Sequence, residues 1–345
     1  MADIEKRLNK AAVKKAPIWG TAVDTDAAGM GFLPLNPGSP KAAVQMIEDE
    51  AASAFEGNLD VGLINPSDFP LDFDYRWDGR ENLLLAMLMG TAGVPAHQGA
   101  TAAYLHSFVL LNTVFGIFGT YATEKGAKIH TVPSFKVLKG AFSLSGGLIK
   151  AAFNLRGIKV IDDSALPAAF TSTTVLGNTH ARAKFSQAVF HMNAQTGDDF
   201  ADGDIVRPKS FTLEIERKMD SEHVAGIQTI VEPVENDKPS IKLTMDFPRM
   251  DTANAAYFAA WIAGTEKKAD LKITGPLIET PYSFYLKFQL PRLIIEDVEY
   301  ADSKIIPAKI VLRGLVPDSA PIGMTGVQVP VVCQVMNTMT VNYLA

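Results

Sequence analysis

Residues 290–315 read "LPRLIIEDVEYADSKIIPAKIVLRGL". Apolar and β-branched residues flank the polar run Asp302–Lys304, which spells two strands joined by a turn. Residues 132–158 read "VPSFKVLKGAFSLSGGLIKAAFNLRGI", with the same opening hydrophobic-Pro, a turn at Ser143–Gly147 and the same closing Leu-Arg-Gly. The prolines stand 158 residues apart (291 − 133) and the Leu-Arg-Gly runs 157 apart (312 − 155).

The repetition extends upstream. "LDFDYRWDG" (71–79) and "LTMDFPRMDT" (243–252) align Leu71, Asp74 and Tyr75 with Leu243, Asp246 and Phe247 at an offset of 172 (243 − 71). Each run leads into a helix. "DGRENLLLAMLMGTAG" (78–93) opens on Asp78, a good N-cap, places Leu83, Leu84, Met87 and Leu88 on one face, and stops at Gly90. "DTANAAYFAAWIAGTEKK" (251–268) opens on Asp251 and stops at Gly264. "SFTLEIERK" (210–218) alternates as a half-buried strand does, and "AVQMIEDEA" (43–51) takes the corresponding place in the first half with poorer alternation. "ADLKITG" (269–275) and "SFYLKFQL" (283–290) are further strands.

Landmarks repeated in one order imply an internal duplication of a single β-rich unit. The expected organisation is an N-terminal arm at 1–40, a first unit at 41–161, a linker or insertion at 162–208, a second unit at 209–318 and a C-terminal arm at 319–345.

With 47% hydrophobic and 20% charged residues, the 345-residue chain can build a sizeable core. A net charge of −6 argues against gripping nucleic acid through its phosphates, which needs a dense basic face. The lone Cys333 rules out an intrachain disulfide and any cysteine-rich metal site; it is expected to be a small buried apolar residue in a reducing cytoplasm. "YLHSFVLLNTVFGIFGTYA" (104–122) is broken by His106, Ser107, Asn112 and two glycines, and is expected to form paired strands rather than a membrane helix. The N-terminus has neither the apolar core nor the cleavage site of a secretory signal, so a soluble chain with no membrane partner is expected.

Catalytic grammar is sparse. There is no G-x-x-x-x-G-K loop, no G-x-S-x-G elbow and no H-E-x-x-H, and the six histidines are dispersed. The acidic pairs at 24–26, 162–163, 198–199 and 202–204 lack the distal Glu of a calcium loop and suit ordinary turns. Glu214 and Glu216 could serve a glycosidase only from the walls of a cleft, and their strand reads as a wet face. No catalytic, metal-binding or cofactor-binding residue is assigned, and no cofactor is expected.

The unit "IKLTMDFPRMDTANAAYFAAWIAGT" followed by "LPRLIIEDVEYADSKIIPAKIVLRGL" resembles the tail tube proteins (major tail proteins) of long-tailed bacteriophages. So does "FPLDFDYRWDGRENLLLAMLMGT" with "KIHTVPSFKVLKGAFSLSGGLIKAAFNLRG". The likeness covers about residues 40–160 and 205–318. It implies a mainly β fold of two tandem β-sandwich or half-barrel units, each with one flanking α-helix, joining neighbours into a closed β-barrel ring. Stacked rings would form the virion's tail tube, a channel for genome delivery, assembled in the host cytoplasm. Such proteins usually carry one unit per chain and form hexamers, so two units imply a homotrimeric ring with pseudo-sixfold symmetry. The implied partners are further copies of the chain, the tape measure, terminator and baseplate proteins, a sheath where one exists, and DNA in passage without specific binding.

An acidic lumen would repel phosphate. Asp74, Glu214, Glu216 and Asp246 are the candidate lumen-facing acids, and 104–131 and 276–283 the candidate ring-to-ring contacts. The alternatives are another ring-forming tail component, such as a terminator or baseplate ring, and, more distantly, a carbohydrate-active β-sandwich enzyme.

Overall fold

The computed structural model describes residues 11–23, 31–33, 40–48, 59–77, 81–125, 128–145, 147–163, 181–250, 252–300 and 308–345. The chain is mainly β. Its first half contains β1 (Ala11–Lys15), β2 (Gly31–Leu33), β3 (Ala43–Glu48), β4 (Leu59–Asn65), β5 (Ser67–Asp74), α1 (Asn82–Met89), β6 (Ala96–His97), β7 (Tyr104–Val109), β8 (Gly119–Lys125), β9 (Lys128–Ser145), β10 (Leu148–Gly157) and β11 (Ile161–Asp163). After these come β12 (Ala188–Ala194), β13 (Ile205–Val206), β14 (Ser210–Glu216), β15 (Met219–Asp220), β16 (Val234–Glu235), β17 (Ser240–Phe247), α2 (Thr252–Ile262), β18 (Lys267–Glu279), β19 (Tyr282–Tyr300), β20 (Ala308–Gly314) and β21 (Val332–Asn337).

Two long strands organise the sheet, and each is used twice along its length. The N-terminal part of β9 pairs with β8 and β11, and its C-terminal part pairs with β10. The N-terminal part of β19 pairs with β18 and β21, and its C-terminal part pairs with β20. β5 then lies on β10, and β17 on β20. β14 bridges the halves, with β9 on one side and β17 on the other. The result is one continuous strip in the order β5, β10, β9, β14, β17, β20, β19. All are antiparallel, and the strip is not closed on itself.

Alternation places the strip's inner face. Phe69, Leu71 and Phe73 of β5, Phe211, Leu213 and Ile215 of β14, and Ile241, Leu243, Met245 and Phe247 of β17 are all buried. Rings from both halves meet in this core: Phe142 lies 4.8 Å from Phe288 and Trp77 6.3 Å from Phe284. Each fully buried side chain of this size stabilises the fold by about 1.5–3 kcal/mol, so the halves share one core cluster.

The segment 104–122 forms strands, but these do not pair with each other. β7 joins β21 and β6, while β8 joins β9 and β1. Among the described residues no helix is long and apolar enough to cross a membrane. β1, at the chain start, is built into the sheet on β8, and Lys15 Nζ donates to the Leu344 carbonyl. β12, from the stretch read as a linker, pairs along its whole length with β18. Cys333 is fully buried in β21, and burial raises its thiol pKa well above the ordinary value. The Asp78 and Asp251 caps, the "DTD" run and the Asp302–Lys304 turn lie outside the described residues.

Both glycine stops hold. Gly90 and Gly264 adopt positive φ (88° and 62°), the left-handed turn that ends a helix at little steric cost. The two helices differ in burial. All eight residues of α1 are buried, not only the Leu83, Leu84, Met87 and Leu88 face. A helix that is apolar all round after Asn82 must be covered on every side.

Candidate assembly interface

The four acids Asp74, Glu214, Glu216 and Asp246 share one surface. Cross-strand partners in a sheet project to the same face, and the registers run Asp74–Lys150, Glu214–Lys242, Glu216–Ser240 and Asp246–Ser210. All four lie on the outward face of the strip, opposite the buried apolar rows. None stands alone. Asp74 pairs with Arg182 (3.0 Å) and Glu214 with Lys139 (3.0 Å), while Asp246 accepts a hydrogen bond from Ser210 Oγ (2.8 Å). Glu216 is exposed opposite Lys139 of β9.

The acidic reading missed the cations on the same face of the strip. Arg156 grips Asp68 through two bonds (2.8 and 2.7 Å), which raise its pKa. Lys309 meets Glu299 at 3.0 Å and holds that carboxylate below its usual range. Lysines and arginines one strand away from each acid were the available signal, but they become neighbours only once the register is known.

At the middle of the strip the second half grips the first. β14 runs along β9 from Glu216–Lys139 to Phe211–Leu144, and Arg217 N–H continues the ladder to the Leu138 carbonyl (2.7 Å). The Arg217 side chain is 1% exposed. It donates to the carbonyls of Leu88 (2.6 Å) and Met89 (3.2 Å) at the C-terminal end of α1, and to that of Leu111 (2.7 Å). Guanidinium protons are well suited to such orphan helix carbonyls. Burial pulls its pKa down to about 10, opposed by Glu235, whose Oε1 lies 3.5 Å away. Glu235 also accepts from Val114 N–H (2.6 Å), and Glu232 accepts from Gly116 N–H (2.7 Å) and pairs with buried Lys136 (2.6 Å). The segment 217–235 thus fastens itself over α1 and the 110–118 loop.

A second geometric feature links the two hairpins. In β9–β10 the register shifts between Asn154 and Leu155, leaving Leu138 as an extra, bulged residue: Leu155 faces Val137 and Asn154 faces Lys139. In β19–β20, Leu312 faces Ile295 and Val311 faces Asp297, which leaves Glu296 bulged. The bulges lie 158 residues apart (296 − 138), the same offset as the two prolines. Bulges re-aim a strand and are specific features of a fold.

The same registers adjust one alignment. Arg156 faces Asp68 and Arg313 faces Lys242, so with the Leu-Arg-Gly runs superposed, β5 and β17 correspond at 174 (242 − 68) rather than 172. Asp246 then matches Asp72 instead of Asp74. A two-residue slip keeps every side chain on its face, so hydrophobic pattern alone does not detect it.

Among the described residues no metal-binding cluster of His, Cys, Asp or Glu occurs. Comparison with curated proteins gives no match. A family model described as phage tail tube protein matches residues 9–332, nearly the whole chain. With its mainly β sheet and shared core, the chain belongs to the phage tail tube protein family, structural components of the virion.

Proposed function

We propose that the protein self-assembles into rings that stack into the tail tube and enclose a channel for genome delivery, and that it acts without catalysis. Membership of the tail tube family carries this reading, and the strip accounts for how a ring forms. A strip with two open ends exposes unpaired backbone, which closure around a ring removes. A head-to-tail contact that closes makes a ring, and stacking makes a filament.

Two tandem units per chain are supported by the coincident offsets of prolines, Leu-Arg-Gly runs and bulges. Three chains would then supply six units. The outward face of the strip, with Asp74, Glu214, Glu216 and Asp246, is the proposed lumen wall. It carries acids interleaved with lysine and arginine, a mixed lining that neither traps nor strongly repels phosphate. Exposed Leu277, near the end of β18, suits a contact between rings. The tape measure, terminator and baseplate proteins are the expected partners at the tube ends, with assembly in the host cytoplasm.

Negative-stain electron microscopy of purified protein tests this. Rings or tubes with a central channel are expected. A single ring that never stacks would favour a terminator or baseplate role, and a stable monomer at high concentration would overturn the proposal.

A further inference from the structure

The junction between the two halves is a template for a contact the chain has not yet made. On the first half, β14 covers the edge of β9 just beyond the Leu138 bulge, and Arg217 closes the end of α1. On the second half, the equivalent edge lies just beyond the Glu296 bulge, at residues 297–300 of β19. Among the described residues this edge pairs only with β20, on its other side. The end of α2 is equally bare: Phe258 is 46% and Ile262 71% exposed.

The geometry points to a second copy of this chain as the occupant of that edge and of the α2 face, docked through the side of its first half that bears the β3–β4 hairpin. This rests on the ring-forming reading and names its surfaces. Three observations identify the partner. The covering segment in the template, 217–235, precedes β17, and the corresponding segment before β5 contains β3 and β4. The hairpin carries large apolar residues in the open, with Met46, Leu59 and Val61 each more than half exposed. A two-stranded ribbon with such a face is marginal unless packed against something.

Sizes also match. The first half covers α1 partly with its own 110–118 loop, so the short β15–β16 pair suffices there. The second half has only residues 263–266 between α2 and β18, and the hairpin available to cover it is the longer β3–β4.

Because the contact is head-to-tail, it can be tested with two variants damaged on opposite faces. Ile262→Glu spoils the landing face and Val61→Glu the hairpin; both sites are exposed, so circular dichroism and thermal melting should match the wild type. Each variant alone should remain monomeric under conditions where the wild type assembles. An equimolar mixture should form a one-to-one dimer by analytical ultracentrifugation, because one sound hairpin and one sound landing face remain. Assembly by either variant alone, or a mixture that stays monomeric, overturns the inference and leaves the tube reading standing. A wild-type chain that stays monomeric overturns both.

Discussion

Helices α1 and α2 stand at corresponding places before the two long hairpins, yet one is buried on every side and the other is largely open. α1 is sealed by Arg217 from the second half, by the 110–118 loop and by the C-terminal segment, where Tyr343 lies 3.5 Å from Asn82 Nδ2. α2 turns Tyr257, Ala260 and Trp261 toward the core and leaves Phe258 and Ile262 outside. The difference teaches that equivalent sequence positions need not have equivalent environments. The helix of the first half is covered within its own chain, whereas the helix of the second half keeps Phe258 and Ile262 exposed.

The largest expected effect comes from breaking the seal on α1. Arg217→Met removes three hydrogen bonds to carbonyls and leaves Glu235 without its buried cation. Urea unfolding should show a loss of about 3 kcal/mol, in the range for breaking a buried, hydrogen-bonded charge. No comparable cost is expected from Ile262→Gln at the open end of α2.

Gly140 and Val298 sharpen the comparison, since they occupy matching positions just past the bulges (298 − 140 = 158). A Cβ on Gly140 would sit 2.5 Å from Leu88 Cδ2 and 3.0 Å from Phe153, because α1 packs directly on this strand. Gly140→Ala should therefore cost about 1–3 kcal/mol, as overpacking does. Val298 is 7% exposed and belongs to the buried core, so the matching position in the second half already holds a branched side chain. Thermal melting of the two single variants Gly140→Ala and Val298→Ala would check this; equal, small losses would contradict it.

The C-terminal cover of α1 should respond to pH. His106 Nε2–H donates to the Met339 carbonyl (3.0 Å), its ring lies 4.9 Å from Tyr343, and burial lowers its pKa. A depressed folded-state pKa means that the unfolded chain binds the proton more readily. This contribution to stability is therefore complete above the ordinary histidine value of about 6.5 and is lost as pH falls below it. One proton limits the slope to about 1.4 kcal/mol per pH unit. His106→Gln should flatten the profile between pH 4 and 7, measured by urea midpoints.

The smallest effect belongs to the strip's outer face. Glu214→Gln removes a partly exposed pair with Lys139, and a change within about 0.5 kcal/mol is expected. A large loss would mean that this face is packed against something in the free chain.

Much of this was legible in sequence where the chemistry is local. The alternation of 210–216, the two glycine stops and both long hairpins follow from residue pattern alone. What escaped depends on pairing between distant segments. β12 lies in a stretch rich in Ser, Thr, Gly and Asp, and its pairing with β18 and β13, both later in the chain, makes it a strand. The Leu138 and Glu296 bulges carry no glycine to announce them. For the four acids, the residue type was readable and their common face follows from strand period, but the lysine and arginine partners depend on register. The full burial of α1 was hidden for the same reason, since part of its seal comes from Arg217 and the C-terminal segment.

Counting chains per ring tests the central claim most directly. Cryo-electron microscopy of the assembled particle should show three chains in each ring, with a mass near 112 kDa (3 × 37.2 kDa) and six similar lobes around one channel. Six chains per ring, or three chains without sixfold-like repetition, would contradict the account of two like units in one chain.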